Sequence, residues 1–440
     1  MMRQDRPTPS SPVPGGRAGR MMRLGGMTGG IVGGVLANGA AQLARGERPR
    51  LDRALLTPAT AQRIARDLGR MRGAAMKLGQ MLSMDTGLVL PPEMTEILAA
   101  LRAEAPHMPP QQLRAVLDAA WGSGWYGRFA RFDLRPFAAA SIGQIHRART
   151  RDGQELAIKV QYPGVRASID SDIDNVAALL RMLGVLGRDL DVGPLLAEAK
   201  AQLHAEADYM AEAAHLARFG ALLADDPRFA LPRLHEDLTT PQVLAMELLE
   251  SDPLEAVASA PQPVRDRVAE ALIELVLAEL FALRWMQTDP NPANFRFDPA
   301  SGRVVLLDFG AVLEIDAGLA DDFRALMRAG LSGERAAMAE AMARIGYFGA
   351  DTAPRHREMI LTMFDKAMAP LRQRTPFDFG QTQLLEDLRD MGLAMGSERD
   401  LTHIPPPATL FLHRKIGGIY LIATRLRARV ALRPLLEKYG

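Results

Sequence analysis

The stretch "RPFAAASIGQIHRARTRDGQELAIKVQYPGV", residues 135–165, decides the fold. Alternation of apolar and polar side chains from Ile142 to Ala148 predicts a strand. Asp152-Gly153 is the turn chemistry of a hairpin, and "ELAIKV" predicts a second strand that delivers Lys159 near its end. An ammonium at that place can reach the α- and β-phosphates of a nucleotide. A lone strand lysine more often snorkels at the surface, so its reading depends on the motifs downstream in the chain. Ahead of the hairpin, where a phosphate-covering loop usually carries glycine, stand Ala138, Ala139 and Ala140, then Ser141. Each alanine penalises positive φ by about 1–2 kcal/mol. The loop is therefore expected to cover a nucleotide but to hold it differently from a glycine loop.

Two further motifs stand in the order that phosphoryl-transfer chemistry needs. In "QTDPNPANF" (287–295), Asp289 and Asn294 have the Asp-x-x-x-x-Asn spacing of a kinase catalytic loop. The carboxylate can orient or deprotonate a nucleophile, and the amide oxygen is a hard ligand suited to Mg²⁺. Read alone, Asn and Pro clusters are turn formers. In "RVVLLDFGAV" (303–312) an apolar strand delivers Asp308, followed by Phe309 and Gly310, where a metal-binding Asp-Phe-Gly is expected. Together the three predict a site for Mg²⁺ and ATP, with Lys159 and Asp289 catalytic and Asn294 and Asp308 on the metal. Two look-alikes lack this context: "GSGWYG" (122–127) follows a helical pattern and reads as a helix-end turn, and a second Asp-Phe-Gly at 378–380 follows no apolar strand.

The 440 residues are 48% apolar and 24% charged, with no cysteine, so disulfides, thiolate nucleophiles and zinc–cysteine sites are excluded. Residues 1–50 hold eight arginines against Asp5 and Glu47; this +6 within a net +1 leaves −5 for the rest. The basic end suits an anionic surface. Next to it, residues 24–44 are free of charge, and Gly25, Gly26, Gly29, Gly30, Gly33 and Gly34 form small-xxx-small pairs. Such a segment could associate with a membrane or bring two copies together, or serve as a Gly-rich linker. Residues 51–120 and 168–223 read as helical. An apolar helix is expected through "VRDRVAEALIELVLAELFALRWM", and more helices beyond 311. The fold class is α+β and two-lobed, divided as 1–50, 51–130, 131–250 and 251–440.

With these residues assembled, the chain resembles the UbiB-type atypical kinase family, also called ADCK or COQ8, of ubiquinone (coenzyme Q) biosynthesis. "MRGAAMKLGQMLS" carries the family's Lys-x-Gly-Gln as Lys77, Gly79 and Gln80, and "FAAASIGQIH" its Ala-rich loop. "EADYMAEAAH" holds its Glu-x-Asp as Glu206 and Asp208, with Glu212 where the family pairs the nucleotide-site lysine. "MQTDPNPANF" and "FLHRKIGG" resemble the mitochondrial branch more than the bacterial "HADPHPGN" form. The resemblance implies a protein-kinase-like fold with an added N-terminal helical extension. It also implies a lid in which Lys77 and Gln80 meet Glu206 and Asp208, and lipid-stimulated ATP hydrolysis in support of ubiquinone assembly. One geometric difficulty stands: on an unbroken helix Asp208 and Glu212 share a face while Glu206 points away.

The expected partners are ATP, anionic membrane lipid, quinone precursors or ubiquinone-biosynthesis enzymes, and a second copy of the chain; no nucleic acid is expected. The resemblance implies a peripheral place at a membrane; the cysteine-free, Ala- and Arg-rich composition favours the cytoplasmic face of a bacterial inner membrane, with the matrix side of the mitochondrial inner membrane as the alternative. A kinase for a small molecule or lipid, and a nucleotide-gated scaffold, are the competing readings.

Overall fold

The computed structural model describes residues 74, 107–182, 193–349, 352–396 and 405–440. Lys77, Gln80 and the segment 24–44 lie outside them. The chain divides into two compact units. One takes residues up to Ala213 with Leu234–Leu248; the other takes Ala214–Arg233 with Leu249–Gly440. Mixed helices and mainly antiparallel sheets make the class α+β.

The first unit begins with helix α1 (Pro110–Trp121), then strands β1 (Phe129–Phe132), β2 (Ala138–Ala139), β3 (Gly143–Thr150) and β4 (Glu155–Gln161). Helices α2 (Val165–Met182) and α3 (Gly193–Glu206) come next; α4 (Tyr209–Leu222) passes into the second unit after Ala213, and beyond β5 (Phe229–Ala230) of that unit the chain returns as β6 (Val243–Glu247). The sheet runs β1-β3-β4-β6, with β2 beside β3, antiparallel throughout. Side chains alternate along β4, so Leu156, Ile158 and Val160 enter the core on one face and Ala157 and Lys159 lie on the other. Leu113, Leu117 and Trp121 of α1 share that core, and the Trp121 indole donates to the Leu238 carbonyl at 2.8 Å. Residues 110–130, which the sequence reading placed in a separate helical extension, are thus integral to the sheet's core. The aromatic spacing Trp121, Trp125, Phe129, Phe132 carries this, with the Trp125 and Phe132 rings 4.9 Å apart. "GSGWYG" ends α1: Gly122 and Gly124 have φ of 82° and 88°.

Hydrogen bonding explains the alanines. Ala138 and Ala139 are a short strand, paired with Ile145 and Gln144, and the Ala140 N–H donates to the Gly143 carbonyl at 3.0 Å. Among the described non-glycine residues only Arg284 and Arg427 have positive φ, so the expected backbone penalty on the alanines does not arise. Glycine is needed one step later. A Cβ on Gly143 would lie 2.3 Å from the Val160 carbonyl and 3.1 Å from the Tyr209 hydroxyl.

A buried polar chain ties residue 108 to this sheet. The Met108 N–H donates to Gln144 Oε1 at 2.9 Å, Gln144 Nε2 meets His146 Nε2 at 2.9 Å, and His146 Nδ1 meets the Asp133 carbonyl at 2.8 Å. A carbonyl can only accept, so the imidazole proton sits on Nδ1 and Nε2 accepts from the glutamine. Protonating Nε2 would set a donor against a donor. Burial, with His107 nearby, lowers the His146 pKa from 6.5 to about 4, against the pull of the Asp133 carbonyl. The unfolded chain then binds the proton more readily, so this stability is complete above pH 6.5 and is lost as the pH falls toward 4, by about 3 kcal/mol in all. Urea unfolding between pH 7 and pH 4.5 will show the loss, and His146→Gln will show a shallower slope. Equal slopes would remove His146 as the cause.

In the second unit β5 pairs parallel with β10 (Arg303–Leu306), which pairs antiparallel with β9 (Phe295–Asp298) and that with β7 (Asp252–Pro253). Helix α5 (Gln262–Ala278) does not run on through "LRWM" as its apolar pattern suggests. It passes into a π turn at Glu279–Leu283, Arg284 takes φ 55°, and β8 (Trp285–Gln287) pairs with β11 (Val312–Glu314). Helices α6 (Ala317–Ser332), α7 (Arg335–Ile345), α8 (Pro354–Met368), α9 (Leu384–Gly396), α10 (Pro407–Leu426) and α11 (Leu432–Tyr439) complete it, with β12 (Phe377–Asp378) paired to β13 (Arg429–Val430). Helices α5 and α10 pack against each other, with Leu272, Leu275 and Val276 buried on α5 and Ile419, Ile422 and Ala423 buried on α10. The second Asp-Phe-Gly lies at β12, where Asp378 pairs with Arg429 and Phe379 packs on Tyr420.

Candidate nucleotide and catalytic-loop residues

Lys159 is nine-tenths buried, and its Nζ lies 2.9 Å from each carboxylate oxygen of Glu212 and 5.1 Å from the Tyr209 ring. Both partners of this ion pair are in the first unit. The helical pattern is broken between Glu206 and Glu212. Helix α3 ends at Glu206, and Asp208 caps α4 by accepting from the Ala211 N–H at 3.1 Å. The Ala207 carbonyl, released from the helix, accepts from Gln161 Nε2 at 2.8 Å. Glu206 and Asp208 therefore sit on a helix junction, Asp208 half-buried with Arg166 3.6 Å away. Lys77 and Gln80, expected against them, are outside the described residues. Ala138, Ala140 and Ser141 are half-buried and Ala139 is exposed.

In the second unit Asp289 and Asn294 are joined directly. The Asp289 carbonyl accepts from Asn294 Nδ2 at 3.1 Å and from Gln287 Nε2 at 2.7 Å. With its Nδ2 so committed, Asn294 offers its amide oxygen as a ligand. The Asp289 carboxylate lies 3.6 Å from the Arg414 guanidinium of α10. Asp308 stands just past β10, half-buried, and one of its oxygens accepts from the Gly310 N–H at 2.9 Å. The segment is anchored by Phe309, whose ring packs tilted against Phe219 with centroids 4.9 Å apart and whose carbonyl lies 3.0 Å from His215 Nδ1. The Leu307 N–H donates to the Asn294 carbonyl at 3.1 Å, so the strand carrying Asp308 and the loop carrying Asn294 are hydrogen-bonded neighbours.

Sequence reasoning missed the support beneath this loop. Lys415 Nζ, inside α10, lies 3.1 Å from Glu279 Oε2 and donates to Gln287 Oε1 at 2.9 Å. Burial pushes the Glu279 carboxyl up, opposed by the lysine charge. A Cβ on Gly418 would lie 2.3 Å from the Pro290 Cβ, so the Asp-Pro turn rests directly on that glycine. The signal lay in "HRKIGG", a cation three residues ahead of a glycine within an apolar helix.

The ABC1 atypical kinase-like domain model matches residues 100–342. Yeast (Saccharomyces cerevisiae) "Atypical kinase COQ8, mitochondrial" is 33% identical over 98% of this chain and 86% of its own. Rat (Rattus norvegicus) "Atypical kinase COQ8B, mitochondrial" is 36% identical over 97% of this chain and 80% of its own. Among solved structures, Rv3197 of Mycobacterium tuberculosis in complex with erythromycin superposes with a TM-score of 0.59 at 28% identity, covering 88% of this chain and 97% of that one. The α+β architecture, the ordered motifs and these matches agree: the chain belongs to the ABC1 atypical kinase-like family and has its kinase-like fold.

Proposed function

We propose that the protein binds Mg-ATP and hydrolyses it at a membrane surface in support of ubiquinone biosynthesis. The observation that carries this reading is the full set of phosphoryl-transfer side chains, each held by a specific local contact. Lys159, fixed on Glu212, would hold phosphate oxygens; Asn294 and Asp308 would ligate magnesium; Asp289 would orient the attacking water. The fit is chemical: a carboxylate and an amide oxygen are the hard donors Mg²⁺ takes, with phosphate supplying the rest. The Ala138–Ser141 arm would cover the nucleotide, and Lys77 and Gln80 would meet Glu206 and Asp208 as a lid.

The ubiquinone assignment is supported by the COQ8 relatives. Their names also favour the mitochondrial alternative over the bacterial placement that composition suggested, for which the relatives give no support. Among the described residues no helix is long and apolar enough to cross a membrane. The basic residues 1–50 are the part suited to an anionic lipid surface. Quinone precursors, biosynthetic enzymes and a second copy of the chain remain the proposed partners.

Ubiquinone content in cells lacking their own member of the family tests this. The wild-type chain should restore it and Asp308→Asn should not. Restoration by Asp289→Asn with ATP binding intact would instead favour a nucleotide-gated scaffold, and restoration by Asp308→Asn would contradict the magnesium role given to it.

A further inference from the structure

We propose that Gln287, oriented by the buried Lys415–Glu279 pair, is a positioning residue that sets the Asp289–Asn294 loop. Gln287, Lys415 and Glu279 are 5%, 1% and 1% exposed, so water does not compete for their polar atoms. The logic of the contacts is directional. An ammonium has only donors, so the Gln287 atom 2.9 Å from Lys415 Nζ must be the amide oxygen. That choice turns the amide nitrogen toward the Asp289 carbonyl, which it meets at 2.7 Å. Lys415 is held by Glu279, and Glu279 Oε1 also accepts from the Gln287 main-chain N–H at 3.3 Å. Every atom that sets the glutamine is itself set.

The Asp289 carbonyl is a shared acceptor, taking the Gln287 amide on one side and the Asn294 amide on the other. Moving it therefore moves both functional side chains of the loop. Pro290, the next residue, is confined by Gly418 three residues beyond Lys415 on the same helix. Helix α10 thus meets the loop on successive turns, one contact polar and one steric. A buried ion pair is not needed for stability as such, since apolar side chains of similar volume often serve as well or better. Its use here is orientation.

The catalytic part of this inference rests on the nucleotide reading above; the loop-ordering part does not. Two variants test it: Gln287→Met, which keeps volume and leaves Lys415 on Glu279, and Gln287→Glu, which keeps an acceptor for Lys415 but has no donor for the Asp289 carbonyl. Hydrogen exchange of the peptide spanning 288–295 should speed up about 10-fold, read by mass spectrometry. The turnover number for phosphate release should fall about 10- to 100-fold with KM for Mg-ATP within about two-fold, and the melting temperature should move by only a few degrees. Unchanged exchange in either folded variant overturns the proposal, as does failure of both to fold, which would make Gln287 a stability residue. A wild type that releases no phosphate sinks the ATPase reading, and exchange alone then decides this one.

Discussion

Lys415→Met will destabilise the protein by about 3–5 kcal/mol, because it leaves the Glu279 carboxylate buried without its counter-charge. For a unit of some 200 residues that corresponds to a fall in melting temperature of roughly 6–20 °C. The loss comes from Glu279, not from missing attraction alone. Its carboxyl is already pushed upward by burial with the lysine in place, so without it the group must take up a proton or draw in water. Lys415→Met combined with Glu279→Gln removes both charges and should recover most of the loss. Loss of Gln287's orientation persists in the double variant, so stability and loop order should separate. A single variant that melts within about 2 °C of the wild type would contradict this.

Lys159→Met will lower phosphate release by about 10²–10³-fold, the usual effect of removing one preorganised charge from a transition state. It will also destabilise, since Glu212 is 2% exposed and both its oxygens face the lysine. Lys159→Met with Glu212→Gln distinguishes the two effects. Removing the second charge should restore much of the stability and none of the phosphate release. If release returns with stability, Lys159 acts only in packing and the nucleotide role given to it is wrong.

The local structure of this chain was legible where it depends on near neighbours. The Asp152-Gly153 turn, the strand carrying Lys159 and the apolar approach to Asp308 depend on neighbours in sequence, and they fold as read. What could not be read are the contacts made over long separations. Lys415 meets Glu279 and Gln287 across 136 and 128 residues, and no spacing rule reaches that far. The end of α5 was misread because Trp285 and Met286 extend the apolar helical pattern past Leu283, while a π turn and a left-handed Arg284 redirect the chain into β8. The junction at Asp208 was half legible. Helix geometry already showed that Glu206 and Glu212 could not share a face of an unbroken helix, and the helix is indeed broken there by an aspartate that caps a new one. The alanine arm was misjudged for a different reason. Its penalty applies only at positive φ, and the chain avoids that region by forming a strand.

Under the proposed function, Lys159, Asp289, Asn294 and Asp308 would serve an Mg-ATP hydrolase that works at a membrane. Phosphate release from Mg-ATP by the full-length purified protein, with and without anionic liposomes and beside Asp308→Asn, tests it most directly. The account predicts release that liposomes stimulate and that Asp308→Asn abolishes. Release that survives Asp308→Asn, or nucleotide binding with no release under either condition, would contradict it.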